Sequence, residues 1–107
     1  MSNYNSSYHF KHLLTSSQSF KYNGCVRFTY NFSSDEYLYL MVNTKYGNAP
    51  GRNAFKRRAR SLFNALIKEH SEISIGLMIK PLKQNVSYED LRRGFGALNK
   101  KIILESN

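Results

Sequence analysis

Apolar and polar residues change their spacing several times along the chain, and each change marks an element. Residues 1–7 are polar, rich in Ser, Asn and Tyr, and predict a disordered tail; Phe10, Leu13 and Leu14 then recur at helical spacing and predict a short helix. From Phe20 to Phe32 the pattern turns to alternation, with Val26, Phe28, Tyr30 and Phe32 on one side and Arg27, Thr29 and Asn31 on the other. That period of two predicts a strand, with Asn23-Gly24 as a turn before it. After the polar turn from Ser33 to Glu36, the run Tyr37 to Thr44 is aromatic, branched and apolar on both faces, which predicts a strand covered on both sides and central in the sheet.

Lys45 to Asn48 interrupts that run. Asn48 is suited to cap a helix reaching about Lys68, and Pro50 is tolerated in its first turn because the early amides have no helical partner. Ile73, Ile75, Leu77 and Ile79 alternate with Ser74, Gly76 and Met78, so a fourth strand is predicted, ended by Lys80-Pro81. Ser87 and Asp90 resemble a capping box, and Leu91, Phe95, Leu98 and Ile102 continue as a helical seam. Gly94 and Gly96 inside that seam each cost about 1 kcal/mol relative to Ala. No repeat or long linker divides the 107 residues, and the order of helix, strands, helix, strand, helix predicts one α+β domain with helices packed on a sheet.

Charge narrows the function. Sixteen Lys and Arg against seven Asp and Glu leave a formal net charge of +9, so an acidic partner is expected. No apolar run of about 20 residues could span a bilayer, and the polar start lacks the pattern of a signal peptide. The lone Cys25 cannot form an internal disulfide and is expected to be a buried reduced thiol, which points to the cytoplasm.

The positive charge is concentrated. Between Glu36 and Glu69 there is no acidic residue, whereas Lys45, Arg52, Lys56, Arg57, Arg58, Arg60 and Lys68 all fall there. At about 100° per residue, Phe55, Ala59, Leu62, Phe63 and Leu66 share one stripe of the predicted helix, and Asn53, Lys56, Arg57, Arg60 and Asn64 share an adjoining one. Arg58 points more than about 90° away from the centre of that basic face. Arginine forks match phosphate oxygens and release counterions from nucleic acid, so the face suits phosphates better than it suits mere solvation.

Residues Lys45 to Arg60, KYGNAPGRNAFKRRAR, resemble the signature of the bacterial ribonuclease P protein family: Lys-x-Gly-x-Ala-Val-x-Arg-Asn-x-x-Lys-Arg, often with a later Arg. Lys45, Gly47, Ala49, Arg52, Asn53, Lys56, Arg57 and Arg60 match it. Pro50 replaces the usual Val, Ala54 replaces the second Arg of Arg-Asn-Arg, and Asn43 and Thr44 depart from the usual Ser-Lys-Lys lead-in. Ile79-Lys80-Pro81 and Ser87-Tyr88-Glu89-Asp90-Leu91 are similar to the family's last strand, turn and final helix, so the resemblance covers nearly the whole chain.

The resemblance implies an α-β-β-β-α-β-α two-layer sandwich, ribosomal protein S5 domain 2-like, with a four-stranded sheet and a left-handed crossover that general rules disfavour. It further implies a non-catalytic subunit of a tRNA 5′ endoribonuclease, whose partners are ribonuclease P RNA and precursor tRNA and whose Mg2+ is held by the RNA. Lys45, Arg52, Asn53, Lys56, Arg57 and Arg60 are then the expected RNA contacts. Phe10, Leu14 and Tyr30 fall at the cleft for the 5′ leader, with Leu14 in place of an aromatic residue and Phe28 the alternative to Tyr30.

Three other readings compete. A ribosomal or other structural RNA-binding protein fits size and charge equally well, and only the Arg52-Asn53 signature and its continuation argue against it. A standalone nuclease using His9 and His12 lacks a third ligand or a carboxylate. Membrane attachment through the basic helix would take the apolar stripe that packing needs.

Overall fold

The computed structural model describes residues 17–32 and 35–105. Asn23 and Gly24 both adopt positive φ, 51° and 66°, the backbone of a tight turn that the Cys25 amide closes by donating to the Tyr22 carbonyl at 3.0 Å. They therefore join two strands, β1 (Gln18–Tyr22) and β2 (Val26–Phe32), paired antiparallel with Phe20 opposite Phe28. The alternation of Val26 to Phe32 is thus a strand as expected, while β1 was hidden because only Phe20 and Tyr22 of its five residues are apolar and turned inward.

The chain continues through β3 (Tyr37–Leu40), a 3-10 turn (Thr44–Tyr46), α1 (Ala49–Glu69), β4 (Ile75–Pro81) and α2 (Tyr88–Glu105). Sheet order is β1-β2-β4-β3, antiparallel between β2 and β4 and parallel between β3 and β4, with α1 as the crossover of the parallel pair. The predicted central position of the third strand is corrected: β3 is an edge strand of four half-buried residues. Its apolar look on both faces has two causes. Leu38 and Leu40 pack on the core, and Tyr37 and Tyr39 meet edge-on on the opposite face. The strand covered on both sides is β4, where every residue except Lys80 is buried. It starts at Ile75, two residues later than the periodicity suggested, and includes Pro81, which needs no amide partner at a strand end. The helix predicted around Phe10 to Leu14, and the tail before it, lie outside the described residues.

The register divides the sheet into two unlike faces. One carries Val26, Phe28, Tyr30, Leu77 and Ile79 against Phe55, Ala59, Phe63 and Leu66 of α1 and Leu91, Phe95, Leu98 and Ile102 of α2. Phe28 stacks on Phe20 at 5.2 Å between ring centroids and meets Phe95 edge-on at 5.3 Å. Gly94 explains itself here: a Cβ on it would fall 2.7 Å from the Phe28 ring, so its absence lets α2 sit down on the sheet. Gly96 has nothing within 4 Å of such a Cβ. Cys25 is buried beside the hairpin, its thiol donating to the Tyr22 carbonyl at 3.4 Å and pushed above the usual thiol range mainly by burial. The opposite face carries Ser19, Lys21, Arg27, Thr29, Asn31, Gly76, Met78 and Lys80 with the two tyrosines of β3.

Candidate nucleic-acid interface

The start of α1 is built by side-chain caps in quick succession. Asn43 accepts from the Lys45 amide at 3.0 Å to begin the 3-10 turn, and Asn48 accepts from the Gly51 amide at 2.9 Å to begin α1. Gly47 between them has φ 133°, a conformation other residues rarely adopt. Arg52 turns back and donates to the Gly47 carbonyl at 2.9 Å, while Gln84 from the β4–α2 loop donates to the Lys45 carbonyl at 3.2 Å. Lys45 and Arg52 are thereby placed together at the N-terminal end of a 21-residue helix with no acid in its first turn. Helix starts usually recruit carboxylates to meet the positive end of the dipole. This one has none in its first turn.

Along α1 the apolar stripe is buried at Phe55, Ala59, Phe63 and Leu66, as its spacing predicts. Asn53, Arg57 and Arg60 are exposed, and Lys56 is half-buried at the border of the stripe. Lys56, Arg60 and Asn64 line one wall of an open groove of about 510 Å³ whose other wall is the β3 segment Glu36 to Leu40. Among the described residues, none forms an ion pair with Lys56, Arg57, Arg58 or Arg60. On α2, by contrast, Glu89 binds Arg92 at 2.6 Å and Arg93 at 2.9 Å. The Arg92 contact chiefly holds the Glu89 carboxyl below the usual carboxylate range.

All six residues expected at the RNA interface thus gather on α1 and the turn before it. The leader-cleft expectation fares differently. Phe10 and Leu14 lie outside the described residues, as do His9 and His12. Tyr30 is corrected: it is 1% exposed on the helix-covered face, and its hydroxyl donates to both carboxylate oxygens of Glu105, at 2.9 and 2.8 Å. Burial first, and that bond second, raise its phenol well above the ordinary range. Phe28, the alternative, is buried on the same face.

Sequence reasoning missed a cationic row on the other face, where Lys21, Arg27 and Lys80 stand side by side across β1, β2 and β4. Like charges opposite one another cost stability, and Arg27 is steadied by donating to Ser19 Oγ at 3.1 Å. Each occupies a polar slot of an alternating pattern, yet their adjacency depends on strand pairing that no local signal reveals. Further along this face, Tyr37 lies across Gly76, whose missing Cβ leaves room for the ring, and donates to Asn31 Oδ1 at 3.2 Å. Among the described residues the buried Asn31 Nδ2 has no hydrogen-bond partner. Among the described residues no group of three His, Cys, Asp or Glu side chains converges to hold a metal, and no helix is long and apolar enough to cross a membrane.

The sequence profile of the family described as Ribonuclease P matches residues 4–103. No curated protein matches the sequence. Among solved structures, the RNase P protein from Thermotoga maritima superposes with a TM-score of 0.64 at 20% identity, covering 87% of this chain and 90% of that one. The Staphylococcus aureus RNase P protein superposes with a TM-score of 0.61 at 15% identity, covering 94% and 90%. At these identities the superpositions establish a shared fold, α+β with a four-stranded sheet.

Proposed function

The chain belongs to the ribonuclease P protein family, the protein subunit of the ribonucleoprotein that matures the 5′ end of tRNA, and from that membership we propose how its own residues serve the complex. α1 docks on the ribonuclease P RNA through Lys45, Arg52, Asn53, Lys56, Arg57 and Arg60. The observation that carries this reading is an acid-free helix start continuous with Lys56, Arg57 and Arg60, none of which forms an ion pair with a described residue. Such groups gain most from phosphates, whose oxygens accept charge-assisted hydrogen bonds and whose counterions are released.

The 5′ leader of precursor tRNA passes over the sheet face opposite the helices. Support comes from the row Lys21, Arg27 and Lys80, which offers phosphate contacts, and from Tyr39 and Met78 beside it as partners for bases or sugars. Tyr30 serves this face only indirectly, by holding β2 to α2. Bond cleavage belongs to the RNA and to Mg2+ that the RNA binds. The protein positions the substrate and screens the charge between two RNAs, and precursor tRNA places that work in the cytoplasm.

The test is reconstitution. Protein freed of RNA should leave precursor tRNA intact, and addition of ribonuclease P RNA and Mg2+ should yield cleavage at the mature 5′ end, with higher affinity for precursor than for mature tRNA. Cleavage by the RNA-free protein, or RNA binding indifferent to salt, contradicts the proposal.

A further inference from the structure

The basic face does not exhaust the arginines of α1. A cavity of about 530 Å³ lies between the first three turns of α1 and the β4–α2 loop, and Arg52 and Arg58 both line it. Helical angles alone set Arg58 aside, about 100° from Arg57, but the β4–α2 loop comes up against that flank of the helix and encloses it. Among the described residues no acidic side chain lines the cavity.

Its remaining polar groups are largely committed. The Asn48 side chain is taken by the Gly51 amide, Gln84 by the Lys45 carbonyl, and Ser87 Oγ by the Asp90 amide at 3.0 Å. Even Arg52 spends one nitrogen on Gly47. Arg58 makes no hydrogen bond or ion pair with a described residue although it is half-buried. The charged groups that line the cavity are therefore two guanidiniums, which call for an anionic acceptor. Val42, Phe55, Pro81 and Val86 supply apolar wall, so the volume suits a group larger than a bare phosphate.

We infer that this cavity holds one nucleotide of the ribonuclease P RNA, its phosphate gripped by Arg58 and Arg52 and its sugar or base against the apolar wall. The inference rests on the docking proposed above and extends it: the RNA wraps from the exposed face of α1 around its N-terminal end onto the β4–α2 loop. RNA is the occupant the observations favour because the cavity opens on the same acid-free helix start that carries Lys45 and Arg52. Ala54, where the family signature has an arginine, lines the same cavity one helical turn before Arg58, so a guanidinium introduced there can reach the same space.

The experiment compares wild type, Arg58→Ala, Arg57→Ala and the double variant Arg58→Ala with Ala54→Arg for binding to transcribed bacterial ribonuclease P RNA at several salt concentrations. Thermal melting of each variant serves as the folding control. Arg58→Ala should weaken binding about tenfold and lower the salt slope by about one contact, with melting unchanged, and Ala54→Arg should recover most of the loss. A second readout is a photo-crosslinker on a cysteine introduced at Gln84 in a Cys25→Ser background, which should capture the RNA. Loss of affinity in Arg57→Ala but not in Arg58→Ala, with no crosslink from position 84, overturns the inference and leaves the docking of α1 standing. Failure of wild type to bind the RNA would overturn the docking itself.

Discussion

The two helices sit side by side on one face of the sheet and treat their arginines in opposite ways. α2 carries Arg92 and Arg93 within reach of Glu89, which binds both, and ends at Glu105, which accepts from Tyr30. α1 carries Arg52, Lys56, Arg57, Arg58 and Arg60 without a carboxylate in its first turn, and its one acid, Glu69, stands at the far end. Both bury a comparable apolar stripe. The difference lies only in what faces solvent, so the arginines of α2 are held in ion pairs within the helix and those of α1 are left for a partner.

The largest expected effect concerns packing, where α2 dominates. Phe95 meets Phe28 edge-on at the centre of the core, and Phe95→Ala should lower unfolding free energy by about 3–5 kcal/mol in urea titrations. Arg57→Ala on the exposed face of α1 should change it by less than about 0.5 kcal/mol. Similar losses from the two would remove the distinction between a packing helix and a binding helix.

Next in size are the glycines of α2. Gly94→Ala forces a Cβ into the Phe28 ring and should cost about 1–3 kcal/mol, whereas Gly96→Ala meets nothing and should gain up to about 1 kcal/mol of helix propensity. Opposite signs in paired melting experiments are the predicted outcome; two losses would mean that Gly96 also serves a close approach.

Smallest is the clamp at the end of α2. Because folding raises the Tyr30 phenol, its contribution is complete below the ordinary phenol pKa of about 10 and is lost as pH rises beyond it. Tyr30→Phe should cost about 1 kcal/mol at neutral pH and flatten the fall of stability between pH 9 and roughly 11. An unchanged alkaline slope would show that other groups govern it.

Local signals carried the sequence reading a long way, and the failures share a cause. The start of α1 was legible because Asn48 and the Lys45–Asn53 signature are contiguous, and its faces followed from a period of 3.6. The place of β3 was not, since apolar character on both sides of Tyr37 to Leu40 describes an edge strand bearing tyrosines as well as a central one. Tyr30 shows the limit of alternation. It assigns Tyr30 and Phe28 to one side of β2 but does not say that the helices occupy that side and leave Arg27 and Thr29 for the other. Lys21, Arg27 and Lys80 become a row only through strand register, and Arg58 gains a role only because a loop 26 or more residues away closes on its flank.

The comparison of the helices reduces to one measurement: affinity for ribonuclease P RNA, across a range of salt, of the double variants Arg57→Ala with Arg60→Ala on α1 and Arg92→Ala with Arg93→Ala on α2. Each pair removes the same two charges. The α1 pair should weaken binding by about a hundredfold and lower the salt slope by about two phosphate contacts, while the α2 pair, which Glu89 already engages in ion pairs, should change both much less. Equal losses from the two pairs would mean that the RNA responds to net charge alone and that α1 is not its docking face.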